Sequence, residues 1–298
     1  MKRFSLAGIA AAAMLACLPA SAQTVTVDTA RGAVDVAARP ETVAVFDIAA
    51  IDTIHALGLT PAGVPDKLYV PYLSDLDAAP VGTLFEPDLE ALAALGPDLI
   101  ILGGRSSTQV DAVSGLAPTL DMTIGEDLVA DARARIDAYG AIFGVEARAT
   151  ELRAALDAKL AETAGAAAGK GTALIVMANG PKVSAYGKGS RFGWIHTALN
   201  LPEAHENLDP ETHGDAISFE FIAEVNPDWL IVIDRGAAIG EAGGASATLD
   251  NALVQGTTAA QKRQIVYLDP APIYIAGGGY TSMMQTLDEL LAAFGPAD

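Results

Sequence analysis

The stretch that decides how this chain folds is PDWLIVIDR, residues 227–235. Trp229–Ile233 is an unbroken apolar run of strand length, the pattern of a strand buried on both faces inside a parallel sheet. Yet the run ends on Asp234 and Arg235. Upstream, PDLIILGGR at residues 97–105 ends in the same way, on Arg105. The likeness extends backwards. EALAALGPDLIILGGR (90–105) and EFIAEVNPDWLIVIDR (220–235) place glutamate, proline-aspartate and arginine at identical offsets, with apolar residues in phase. AIDTIHALGL (50–59) and GWIHTALNL (193–201) form a second matching pair in the same order. Two ordered matches point to an internal duplication, and so to two related lobes.

The surrounding pattern fits. TVAVFD reads as a strand, IAAIDTIHALGL as a helix, PAGVP as a strand end, EPDLEALAALG as a short helix and DLIILGG as a strand. From Thr172 the alternation resumes, with TALIVMA as a strand, FGWIHTALNL as a helix and SFEFIAEVNPDWLIVID as helix then strand. Such alternation predicts α/β lobes with mostly parallel sheets. Between them, residues 126–168 read as helical throughout, rich in Ala, Leu, Glu and Lys. This predicts a long helix joining the lobes; an ordinary surface helix within one domain is the competing reading. In open parallel sheets, ligands bind beyond the carboxyl ends of the strands. Arg105 and Arg235 stand at such ends, one per lobe, so facing lobes would bring both into one cleft. Taken singly, each could equally cap a helix or pair with an acid.

Composition narrows the class. Charged residues make up 18% and apolar residues 51% of the 298, which excludes a disordered or coiled-coil chain. Lys2 and Arg3, the apolar run FSLAGIAAAAMLACL and Ala20-Ser21-Ala22 form an export leader, so the expected mature chain starts at Gln23. MLAC (14–17) also passes as a lipobox, with Cys17 the lipidated residue. Simple cleavage is the preferred reading. It removes the single cysteine, leaving no disulfide. The expected divisions are a signal peptide at 1–22, an N-terminal α/β lobe at 23–144, a connecting helix at 145–169 and a C-terminal α/β lobe at 170–298. The formal charge is −19, and losing two basic residues with the leader makes the exported chain more acidic still. Such a surface repels nucleic acid and anionic lipid. It would repel an anionic ligand too, unless cations gathered locally.

VGTLFEPDLEALAALGPDLIILGGR, GKGSRFGW, HGDAISFEFIAEVNPDWLIVIDR and VYLDPAPIYIAGGG together resemble periplasmic siderophore-binding proteins of iron-uptake ABC transporters, in the branch that takes ferric catecholates. The resemblance runs from about Pro40 to Phe294. It implies two Rossmann-like α/β lobes joined by one long rigid helix, with a shallow ligand cleft between them. It implies three cleft arginines, Arg105, Arg191 and Arg235, for an anionic chelate whose oxygens suit guanidinium forks. It also implies that His213 and Tyr274 complete the iron sphere when the siderophore is tetradentate; a hexadentate one would leave both idle. Ferric iron prefers oxygen donors and tolerates imidazole. Ile273 stands where the family usually has tryptophan, and Tyr280 is the alternative if the motif is displaced. Glu90 and Glu220 would dock the membrane permease.

The expected function is therefore capture of a ferric (bis-)catecholate siderophore and delivery to an inner-membrane ABC permease. The protein is expected to be a periplasmic monomer with no intrinsic cofactor, no catalytic residues and Fe(III) arriving only as a siderophore complex. Membrane attachment is expected only if Cys17 is lipidated. Haem or cobalamin binding is the alternative within the class. An exported α/β hydrolase is a more distant one, since no G-x-S-x-G elbow appears. A sensory or structural use of the same fold also stays open. His55 and His196 read as structural residues on apolar helix faces, and His205 as a loop residue.

Overall fold

Asp98 and Asp228 show why the repeated segment folds twice in the same way. A computed structural model of the chain describes residues 23–209 and 214–295. The expected leader, Cys17 and His213 lie outside the described residues. In the first lobe, β3 (Val43–Val45) pairs in parallel with β6 (Leu99–Leu102), Val43 opposite Leu99. Asp98 Oδ2 accepts the N–H groups of Glu41 and Thr42, both at 2.9 Å. In the second lobe, β8 (Ala173–Asn179) pairs with β11 (Trp229–Asp234), Ala173 opposite Trp229. Asp228 Oδ2 accepts the N–H of Thr172 at 3.0 Å. The aspartate of each proline-aspartate pair thus pins the entry of the neighbouring strand and sets its register.

The helices before these strands match as well. α2 (Leu89–Leu95) is capped by Asp88 and ends on left-handed Gly96; α7 (Phe219–Val225) is capped by Ser218 and ends on left-handed Asn226. The first sheet has the order β5-β4-β3-β6-β7, all parallel, with β4 at Gly63–Val64, β5 at Ala79–Pro80 and β7 at Thr119–Asp121. The second has the order β10-β9-β8-β11-β12, with β9 at Lys182–Tyr186, β10 at Asp215–Ile217 and β12 at Ile265–Tyr267. Here β8, β10, β11 and β12 share one direction and β9 runs against them, because Asn179–Lys182 closes a tight hairpin and β10 pairs antiparallel with β9 in turn. Each sheet starts at its centre and reverses direction of growth once. The strand laid beside the first after that reversal is β6 in one lobe and β11 in the other, and the crevice opens there.

The helical stretch between the lobes is not continuous. α4 (Leu128–Phe143) ends at Gly144, which adopts φ 69°, and α5 (Glu146–Ala167) starts two residues later. A left-handed glycine after the last turn terminates a helix by satisfying its open carbonyls. α4 folds back on α5 so closely that a Cβ on Gly140 would lie 2.5 Å from that of Ala149. The leading hairpin, β1 (Thr24–Thr29) and β2 (Gly32–Ala37), buries Val27 and Val36 in the same core.

That core is contiguous across the lobes, from Val45 and Ile51 through Ile136, Leu152 and Leu156 to Ile231 and Leu287. α1 (Ile48–Ala56) and the last helix meet inside it. Asp52 of α1, fully buried, accepts the N–H groups of Thr281 and Ser282, both at 2.8 Å, and the Tyr72 hydroxyl at 2.9 Å. A carboxylate of one lobe thereby caps the closing helix, Tyr280–Phe294. Of the two histidines expected on apolar faces, His196 is buried with Nδ1 2.9 Å from the Leu201 carbonyl. His55 is exposed, in the last turn of α1.

Candidate functional site

Gly103 shows how the first lobe delivers its arginine. The chain leaves β6 so close to Asp47 that a Cβ at residue 103 would lie 2.1 Å from the carboxylate. Glycine lets it pass and turn into a short 3-10 segment, Gly104–Gln109, which carries Arg105. Arg105 reaches over to the second lobe. Nη2 donates to the Tyr274 carbonyl at 2.8 Å and Nη1 to that of Ile275 at 3.3 Å. These carbonyls end the helical turn Pro270–Ile275, where open acceptors await donors.

Arg191 comes from the glycine-rich turn before α6 (Trp194–Leu199). Ser190 knots that turn, its hydroxyl donating to the Gly187 carbonyl at 2.6 Å. Arg191 donates to the same Tyr274 carbonyl, and its Cζ lies 4.3 Å from the centre of the Tyr274 ring. Arg105 Cζ lies 5.4 Å from that centre. Arg235 opens the turn that follows β11; it hydrogen-bonds the Tyr274 side chain, and Nη1 donates to Asn179 Oδ1 at 3.4 Å. The structure therefore gathers Arg105, Arg191, Arg235 and Tyr274. Tyr280 stands apart, at the start of the closing helix near Asp52, with its N–H on the Thr53 hydroxyl.

The electrostatics follow from this crowding. Among the described residues, no ion pair engages any of the three arginines; their partners are neutral oxygens and an aromatic ring. Burial, and then the charge of Arg105, hold the Arg191 guanidinium below the ordinary arginine value. Burial pushes the Tyr274 phenol up, but the Arg235 hydrogen bond and the charges of Arg191, Arg235 and Arg105 outweigh it, so its pKa falls. The adjoining cleft measures about 800 Å³. Trp194, Ile273 and Leu128 give it apolar wall, and Thr123 and Ser190 give it hydroxyls. Trp194 and Asn179 were not anticipated as site residues. Trp194 lies inside the GSRFGW motif, whereas Asn179 carries no local signal.

Glu90 and Glu220 are exposed and each is the second residue of its helix. Helices of a parallel α/β lobe run against the strands, so these N-termini lie at the same end of each sheet as the crevice. The Glu220 carboxyl sits below its usual range through its own backbone N–H and the Ser218 hydroxyl.

Residues 43–272 match the model of the periplasmic binding protein family. The chain belongs to that family. It is 37% identical over 262 residues to the petrobactin-binding protein YclQ of Bacillus subtilis, covering 84% of this chain and 81% of that one. The crystal structure of YclQ superposes with a TM-score of 0.87 at 34% identity, over 92% of this chain and all of that one. The iron uptake ABC transporter substrate-binding protein PiuA of Streptococcus pneumoniae is similar at 36% identity and a TM-score of 0.84, over 90% and 98% of the two chains. The periplasmic catecholate-siderophore binding protein VctP of Vibrio cholerae reaches 31% and 0.84, over 91% and 100%. The two-lobed α/β architecture is that of this periplasmic binding family. Among the described residues, no helix is long and apolar enough to cross a membrane.

Proposed function

We propose that the protein captures a ferric catecholate siderophore, in its bis-catecholate form, and delivers it to an inner-membrane ABC permease. The observation that carries this reading is the convergence of three guanidiniums, drawn from both lobes, on Tyr274 without a carboxylate partner among the described residues. Cations held together in a half-buried cleft repel one another and favour a multiply charged anion. Fe(III) comes as cargo, inside the chelate. The lowered phenol of Tyr274 would supply one oxygen to the metal, and His213 would supply the imidazole. Haem or cobalamin would favour a flatter and more apolar cleft with fewer cations. A carrier role, rather than catalysis, agrees with the relatives named above.

Export through the leader 1–22, with Cys17 as the anchor if lipidated, places the protein on the outer side of the inner membrane. There it works as a monomer, with residues 145–169 bridging the lobes, and Glu90 and Glu220 each offer the permease an exposed carboxylate. Exposed pairs of this kind guide registry more than they add affinity. The reading is tested by quenching of intrinsic fluorescence with a ferric bis-catecholate. Saturable quenching is expected, weakened in His213→Ala and Tyr274→Phe. Folded protein that responds to no ferric siderophore refutes it.

A further inference from the structure

The two arginine arms are built on the same repeat but fastened differently. Asp234 precedes Arg235, and its carboxylate accepts the N–H groups of Gly244 at 2.7 Å, Ala245 at 2.8 Å and Ala237 at 3.1 Å. The arm of the second lobe thus carries its own clasp. At the matching position before Arg105 stands Gly104, which has no side chain to do this. Its N–H instead donates to Thr123 Oγ1 at 2.9 Å, and that hydroxyl donates to Asp121 Oδ1 at 2.5 Å. Asp121 is in turn held by a residue from outside the sheet. Arg31, in the turn of the β1–β2 hairpin, donates through Nε to Asp121 Oδ2 at 3.1 Å. Its Nη2 donates to the Ser107 carbonyl at 3.0 Å, just past Arg105. The hairpin is itself fixed there, Ala30 N–H donating to the Asp121 carbonyl at 2.9 Å.

We propose that Arg31 is the positioning residue for Arg105, a clasp supplied by the N-terminal hairpin where the arm itself lacks an aspartate. One guanidinium bridges both flanks of the arm: Ser107 directly, and Gly104 through Asp121 and Thr123. The Arg31–Asp121 pair is the effective part, because the Asp121 side chain is only 6% exposed. The link to Asp111 adds little, since that carboxylate is 92% exposed. The hairpin precedes residues 43–272, the part matched to the family. It therefore acts on the ligand cleft from outside that span, without touching ligand. Lysine could not replace the bridge, since a single ammonium lacks the planar fork.

This inference rests on Arg105 meeting the chelate. The test is a double-mutant cycle in the full mature chain, with ferric bis-catecholate as the probe and fluorescence quenching as the readout. Arg31→Ala is expected to weaken binding by about 3- to 10-fold, and to cost nothing further in an Arg105→Ala background. Asp121→Asn, which weakens the same relay at its middle, should behave likewise. Arg153→Ala removes the same charge from a pair with Asp137 on the α4–α5 surface and should leave affinity unchanged. Hydrogen exchange at Gly104 should speed up in Arg31→Ala without any ligand. Wild-type affinity in Arg31→Ala, full additivity with Arg105→Ala, or an equal loss in Arg153→Ala each overturns the clasp while leaving the proposed function standing. Failure of the wild type to bind the probe, or of Arg105→Ala to weaken it, overturns both.

Discussion

Tyr274 is the residue on which the cleft turns, and its titration is where the site can be watched. Burial raises the phenols of Tyr72, Tyr139, Tyr186, Tyr267 and Tyr280. Tyr274 moves the other way. It should therefore ionise before those five in a tyrosinate absorbance titration, and Tyr274→Phe should remove that early step. The folded state gains stability from this group only as pH rises through its lowered pKa, and nothing from its ionisation at more acid pH. Arg191 makes the opposite bargain. Its charge is disfavoured where it sits, so Arg191→Met should stabilise the ligand-free protein by about 1 kcal/mol. The same change should weaken ferric bis-catecholate binding roughly 10- to 100-fold, as expected for a charge-assisted hydrogen bond. Urea denaturation and ligand titration on one sample check both.

At the scale of elements, the arms after β6 and β11 matter more than the strands. Burial raises the Asp234 carboxyl, but N–H groups of Ala245, Ala237, Gly244 and Gly236 more than offset it and leave the pKa low. A depressed carboxyl contributes stability that is complete above its ordinary range and is lost as pH falls through the lowered value. Asp234→Ala should cost about 2 kcal/mol in urea at neutral pH, and the gap to wild type should close on acidification. The elements also show where pattern reading stopped short. The connecting helix expected at 145–169 starts just after Gly144, close to α5, but composition marked residues 126–168 as helical throughout and gave no sign that α4 folds back on α5. The backbone of α4 and α5 turns there because residue 144 adopts φ 69° and Gly140 admits Ala149. The antiparallel β9 was equally unforeseen, since an apolar strand gives no sign of its direction.

At the scale of the molecule, the lobes are held by contacts between residues far apart in the chain. Asp52 offers acceptors to two amides of the closing helix and to Tyr72. Asp52→Ala would leave the Thr281 and Ser282 amides and the Thr281 and Tyr72 hydroxyls without that acceptor at a buried junction and should cost about 2–4 kcal/mol, read from the urea midpoint. An Asp52→Ala protein with wild-type stability would show that the lobes are held by apolar packing alone.

The duplicated segments by themselves determined the two-lobed α/β architecture and put Arg105 and Arg235 at the carboxyl ends of equivalent strands. That much is local: apolar period, terminating glycine or asparagine, and the aspartate that pins each strand. The resemblance carried by GSRFGW already implied that Arg191 joins them; only the tertiary structure decided that Arg105 and Arg191 meet on the Tyr274 carbonyl, that Asp52 caps the closing helix, and that Arg31 holds the Arg105 arm. Each of these joins segments that no local pattern relates. Their meeting depends on how sheets and helices pack across the shared core, and side-chain reach at that distance is a property of the assembled fold.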